Sequence, residues 1–193
     1  MTMTAAEHKA RSDRSYKLLL LFGMISMTMM FAGLTSAYIV STKRADWVKD
    51  FHMPIAFFMS LTAIIGCSIT FHLAKKAIQK DNRKLTTILL LTTLFLAIAF
   101  VFFQFQGFNQ MVAEGNYLTG PQSNITATFL YLVVLAHLAH LAGGIISLLI
   151  IIYNHFKQKY NSSQFLGIEL GAMYWHFLDF LWIYLFLFLY FFK

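Results

Sequence analysis

Charge is the scarce commodity in this chain of 193 residues: Asp, Glu, Lys and Arg together make up 12% of it, against 59% hydrophobic residues. A soluble domain carries about a quarter charged residues, so an ordinary water-facing surface is excluded and lipid is the main solvent. Cysteine is nearly absent as well. The single Cys67 excludes an internal disulfide, and its apolar surroundings predict a small buried hydrophobe. There is no internal repeat, no phosphate-cradling glycine-rich loop, no nucleophile beside a plausible base, and no cluster of carboxylates within an apolar run. With about 20 apolar residues needed per crossing, the length accommodates five or six helices and no separate soluble domain.

What the chain does have is five long runs of low charge. They predict an all-α integral membrane bundle of five transmembrane helices at about 18–42, 54–74, 85–107, 126–153 and 170–192, behind a tail at 1–17. Thr35-Ser36-Ala37 resembles a signal-peptidase site, but the run before it exceeds the roughly 7 to 15 residues of a signal h-region. A retained helix is therefore predicted. Pro54 falls at the first turn of the second helix, and the third loop, Asn109 to Asn124, is rich in turn formers, among them Gly115, Gly120 and Pro121.

The net charge of +7 is read as orientation and not as nucleic-acid binding. Of the 15 basic residues, 11 lie on one side: four in the tail, five around the second loop from Lys75 to Lys84, and two at Lys157 and Lys159. Lys43, Arg44, Lys49 and Lys193 lie on the other. The positive-inside rule then places the N-terminus in the cytoplasm and the C-terminus on the opposite side.

In lipid the informative residues are polar ones inside a span. Asp179 is the only acid deep in one, with His176 three residues before it and Trp175 and Trp182 on the same stripe. This constellation reads either as a proton or cofactor site or as a hydrogen-bonded knot between helices. His137 and His140 stand one turn apart on the fourth helix. Two histidines without further ligands fall short of a zinc site, and no second pair stands ready for two haems, so interhelical hydrogen bonding is preferred. Met24, Met27, Met29 and Met30 lack other soft ligands and are read as packing residues. Ala139, Gly143 and Ser147 recur every fourth residue, as do Gly33 and Ala37, and predict close helix packing. Glu169, just ahead of the fifth run, complements the helix dipole there.

Glu169, Tyr174-Trp175-His176-Phe177-Leu178-Asp179 and Trp182, together with the His137 and His140 pair, resemble the cytochrome c oxidase subunit III family in its short, five-helix form. Weaker likeness extends to Pro54 and Ser68-Ile69-Thr70. The resemblance implies a subunit without its own cofactor in a proton-pumping haem-copper terminal oxidase of the bacterial cytoplasmic membrane. Haem and copper would be held by partner subunits, with the haem-bearing subunit I as main neighbour, bound phospholipid, and a larger respiratory assembly as a further setting. His137, His140, Glu169, His176 and Asp179 would form a structural polar network, with Trp175 and Trp182 packing beside it. The chain departs from the family where acids are common, with none between Asp50 and Lys75 and a Gln104-Phe105-Gln106-Gly107 stretch further on, and where Leu138 replaces a usual glycine. The departures weigh against a carboxylate proton antenna in this subunit. The alternative is a small membrane transporter or proton channel using Asp179 and His176.

Overall fold

A computed structural model describes residues 5–44, 47, 53–120, 123–162 and 164–192. Lys49, Pro121 and Lys193, which entered the charge and loop arguments, lie outside the described residues. Five helices follow one another: α1 (Ala5–Ser41), α2 (Ile55–Gln79), α3 (Arg83–Ala113), α4 (Ile125–Phe156) and α5 (Leu166–Phe191). Each is long and apolar enough to cross a membrane.

The helices outrun the apolar segments. α1 extends back to Ala5 through Lys9, Arg11, Arg14 and Lys17, which makes its 37 residues about 56 Å long. α2 continues past Lys75 and Lys76, and α5 begins at Leu166, so that Glu169 sits within its first turn and not ahead of it. The physical reason is that hydropathy marks the hydrocarbon alone, whereas the i to i−4 hydrogen bonds continue wherever propensity allows.

The helix ends explain the short links. Asn82 and Asn124 cap α3 and α4 by accepting the amides of Leu85 and Ala127. Pro54 precedes α2 as its N-cap residue. α2, α3 and α4 stop in the same way, with Asp81, Gly115 and Gln158 in left-handed conformation just beyond the cap. In each case two amides after the cap turn back on carbonyls of the last turn, as in Asn116 N–H to Met111 O at 2.9 Å and Gly115 N–H to Val112 O at 3.0 Å. Two otherwise orphaned carbonyls are thereby satisfied at each end.

α2, α3, α4 and α5 close a four-helix ring in that order, and α1 lies outside it against α5 and α4. α2 and α3 share the most extensive contact, where Gly66 faces Leu96 and Gly107 faces the Phe57 ring. Trp175, Trp182, Phe57, Phe71 and Phe100 fill the centre. The small-residue stripe on α4 is displaced from its expected role. Ala139 and Gly143 are exposed and Ser147 is only half-buried, and the close approach is made by Gly144, buried against Leu178, Tyr174 and Trp175. On α1, Gly33 and Ala37 are likewise exposed.

A methyl group added at Gly107 would stand 2.5 Å from Cε1 of Phe57, whose ring is wedged between Phe108 and Trp182. Gly107→Ala is expected to cost about 1 to 3 kcal/mol by overpacking, read as a lower thermal midpoint of the detergent-solubilised chain. Gly33→Ala, with nothing within 4 Å, should leave the midpoint unchanged or raise it. Equal midpoints for the two variants would contradict this packing.

Candidate functional site

α5 carries most of the polar side chains in question, and because it touches α1, α2 and α4 it aims them in different directions. Asp179, near its middle, is buried at 2% exposure between Trp175 and Trp182. Neither carboxyl oxygen makes a well-formed hydrogen bond, although the Ser68 hydroxyl lies beside them, and neither indole N–H has a partner. His176 does not turn to Asp179. Its Nδ1 meets Ser68 Oγ of α2 at 2.7 Å, and its ring lies 5.9 Å from that of His72.

The two histidines of α4 also part company. His137 is fully buried without a hydrogen-bond partner, packed against the Trp182 ring at 5.0 Å and the Phe100 ring at 5.9 Å. His140 donates from Nδ1 to the Ala136 carbonyl of its own helix at 2.7 Å and faces Phe31 of α1. Its backbone carbonyl accepts the Tyr174 hydroxyl of α5 at 3.0 Å.

At the basic end, Glu169 joins three helices. Its Oε2 lies 2.7 Å from Lys17 Nζ of α1 and its Oε1 3.7 Å from Lys75 Nζ of α2. Among the described residues no hydrogen bond or ion pair links any two of His137, His140, Glu169, His176 and Asp179. Glu169 and His176 tie α5 to neighbouring helices, His140 bonds within its own helix, and His137 and Asp179 stand in the core. No three His, Cys, Asp or Glu side chains among the described residues are placed to hold a metal ion.

Other polar links escaped the sequence reading. Thr70 and Thr93 hydroxyls meet at 2.8 Å, Gln104 donates to Ser60 at 3.0 Å, and Thr87 meets His155 Nε2 at 2.9 Å. Their only signal is a polar residue at similar depth on two spans, which many pairs satisfy. Lys17 and Lys75 were more legible, as the basic residues flanking two runs beside a lone acid. Two hollows adjoin this end. An apolar groove of 390 Å³ runs between α1, α4 and α5 past Leu20, Ile151, Gly171 and Tyr174, and a pocket of 360 Å³ beside it holds Lys9, Lys17 and Lys159.

The loops at the same end are clasped together. Asp81 accepts the Ser162 amide at 2.9 Å, and Arg83 donates to the Tyr160 carbonyl at 3.2 Å. Hydrogen bonds from Ser162 hold the Asp81 carboxyl below the usual carboxylate range. A lowered folded-state pKa means that the clasp is fully formed above the ordinary carboxylate pKa and weakens as pH falls through the lowered value. The Ser162 amide should therefore exchange faster relative to a free amide at acid pH, and Asp81→Asn should flatten that dependence.

The Glu169 pairs are partly exposed, with side chains at 39% for Lys17 and 24% for Glu169, so each is worth about 1 kcal/mol at most. Glu169→Gln is expected to speed amide exchange in α1 around Lys17, and high salt should bring the parent chain to the same rate. Exchange unchanged by the substitution would deny the ion pair a role in holding α1.

The sequence model of the family described as Cytochrome c oxidase subunit III matches residues 2–193. Cytochrome c oxidase subunit 3 of Rhipicephalus sanguineus is 31% identical over 142 residues, covering 74% of this chain and 52% of that one. Cytochrome c oxidase subunit 3 of Thermostichus vulcanus is 29% identical over 198 residues, covering 98% and 93%. Cytochrome bo(3) ubiquinol oxidase subunit 3 of Buchnera aphidicola is 26% identical over 178 residues, covering 88% and 92%. The chain thus spans about half the length of the first relative and nearly all of the other two.

Proposed function

The chain belongs to the cytochrome c oxidase subunit III family, and from that premise we propose that it is the non-catalytic subunit III of a proton-pumping haem-copper terminal oxidase in a bacterial cytoplasmic membrane. The observation that carries the reading is the family match over residues 2–193. Several polar groups agree with it by joining helix to helix: Glu169 to α1 and α2, His176 to α2, and Tyr174 to the His140 carbonyl. A bundle stitched in this way suits a scaffold for the haem-bearing subunit I and its proton-uptake side. Haem and copper belong to partner subunits on this reading. The groove beside Leu20 and Gly171 suits the acyl chains of a bound phospholipid, and Lys9 and Lys159 in the adjoining pocket, which also holds Asp13 and the Lys17–Glu169 pair, are the ammonium groups for its phosphate.

A transporter or proton channel would need a polar path through Asp179 and His176. Asp179 is buried, and the polar side chain shared by it and His176 is the single Ser68 hydroxyl, too short a group to form such a path. These placements favour the scaffold. Purification from native membranes should bring this chain down with a haem-bearing polypeptide and with oxygen-reducing activity, whereas the chain purified by itself should show no haem absorbance. Emergence without haem-bearing partners would refute the oxidase reading, and haem retained by the isolated chain would refute its lack of cofactor.

A further inference from the structure

α1 and α2 both pack on α5 but not on each other among the described residues, which leaves a lengthwise strip of α5 open between them. Glu169, bridged to Lys17 and Lys75, closes the strip at the basic end. From there to Leu187 it runs 18 residues, about 27 Å, close to the thickness of the hydrocarbon. Most of the strip is what lipid would accept. Phe180 is 72% exposed and Leu187 44%.

His176 breaks the pattern. It lies seven residues, about 10 Å, deeper than Glu169, one turn from Phe180, and it is only half-buried. Its Nδ1 is engaged by Ser68, and the exposed His72 stands over its ring. Acyl chains offer no hydrogen bond to the remaining ring nitrogens, and polar side chains at this depth face protein or water and not lipid. Beside Phe180, α1 and α5 enclose an apolar hollow of 320 Å³ lined by Thr28, Ala32, Phe177 and Tyr184, wide enough for a large apolar side chain. At the basic end Lys9, Lys17 and Lys75 stand against two acids, Asp13 and Glu169.

We infer that this α5 strip, centred on His176 and Phe180, is the docking surface for one transmembrane helix of the haem-bearing subunit. That helix carries a hydrogen-bonding side chain at the depth of His176, a bulky apolar residue for the hollow beside Phe180, and an acidic residue at its cytoplasmic end. The assignment rests on the oxidase reading above and adds to it the face and the chemistry of the contact. A helix meets the polar pair, the apolar hollow and the cationic end together, which neither a lipid tail nor a second, equally basic copy of this chain does.

A photo-crosslinking phenylalanine analogue placed at Phe180, in the assembled complex in native membranes, tests the assignment. Phe95 of α3, 71% exposed, serves as the control. The expected product is an adduct with the haem-bearing polypeptide from Phe180 and none from Phe95. Adducts from Phe180 with lipid alone or with a second copy of this chain, or equal yields from both positions, overturn it. His176→Ala should lower the apparent association constant of this chain with the complex by about three- to tenfold, the effect of one interhelical hydrogen bond, and His176→Gln should restore it. Undiminished association of His176→Ala overturns the proposal. If the unaltered chain fails to co-purify with any haem-bearing subunit, the oxidase reading fails and takes this assignment with it. Co-purification with lipid-only adducts overturns the docking face alone.

Discussion

Hydrocarbon supplies no water to complete a hydrogen bond, so polar groups carried into the membrane need their partners from the protein itself. The layout of this bundle follows from that constraint. Helix ends are folded back on themselves, with Asp81, Gly115 and Gln158 turning amides onto the last carbonyls. Threonine hydroxyls return to their own helices, as Thr35 does to the Phe31 carbonyl and the exposed Thr92 to that of Ile88. Side chains reach across only where two helices are close, and the tight α2 and α3 pair accordingly holds the Thr70–Thr93 and Gln104–Ser60 bonds. Apart from Gln104 Oε1 and His155 Nδ1, the exceptions among the described residues converge on one place. The Asp179 carboxyl, the Trp175 and Trp182 indoles and the His137 imidazole are buried without a well-formed hydrogen bond, the first three along one stripe of α5 and the fourth tilted against Trp182.

The same constraint decides how much could be read from the amino-acid sequence. Five spans and their class were legible because uncharged runs of this length have few other uses. Helix limits were less so: the runs end where the hydrocarbon ends, while α1 continues through four basic residues to Ala5. A charged helix outside the apolar layer leaves no mark in hydropathy.

Site residues were legible as types and not as contacts. That His176, Asp179, His137 and His140 are costly follows from their positions in spans, but helical spacing places residues on a face without saying which neighbour that face meets. His176 and Asp179, three residues apart, do not bond each other: His176 meets Ser68 at 2.7 Å, and Asp179 lies buried beside the same serine. Gly143 and Gly144 show the same limit at a single residue's resolution. The every-fourth-residue pattern selects Gly143, yet the helix is rotated so that Gly144 meets Leu178, Tyr174 and Trp175. Helix rotation is set by the packing of the whole ring, which no local pattern encodes.

α5 is the exception that explains why so much of the recognisable sequence is concentrated there. It is the helix that α1, α2 and α4 all contact, and through Trp182 it reaches Phe100 of α3 as well. Six of the fourteen residues from Glu169 to Trp182 each answer to a different neighbour: Glu169 to Lys17 and Lys75, Gly171 to Ile151 and Phe71, Tyr174 to His140, Trp175 to Gly144, His176 to Ser68, and Trp182 to His137. α1, with much of its surface exposed, is bound by far fewer such demands. A helix packed from several sides at once leaves little room for change at the positions that make those contacts, and a dense motif is the form that such constraint takes in sequence. The strip of α5 left open between α1 and α2 carries a histidine in the same register, and the physical demand that shaped the covered faces applies to it equally.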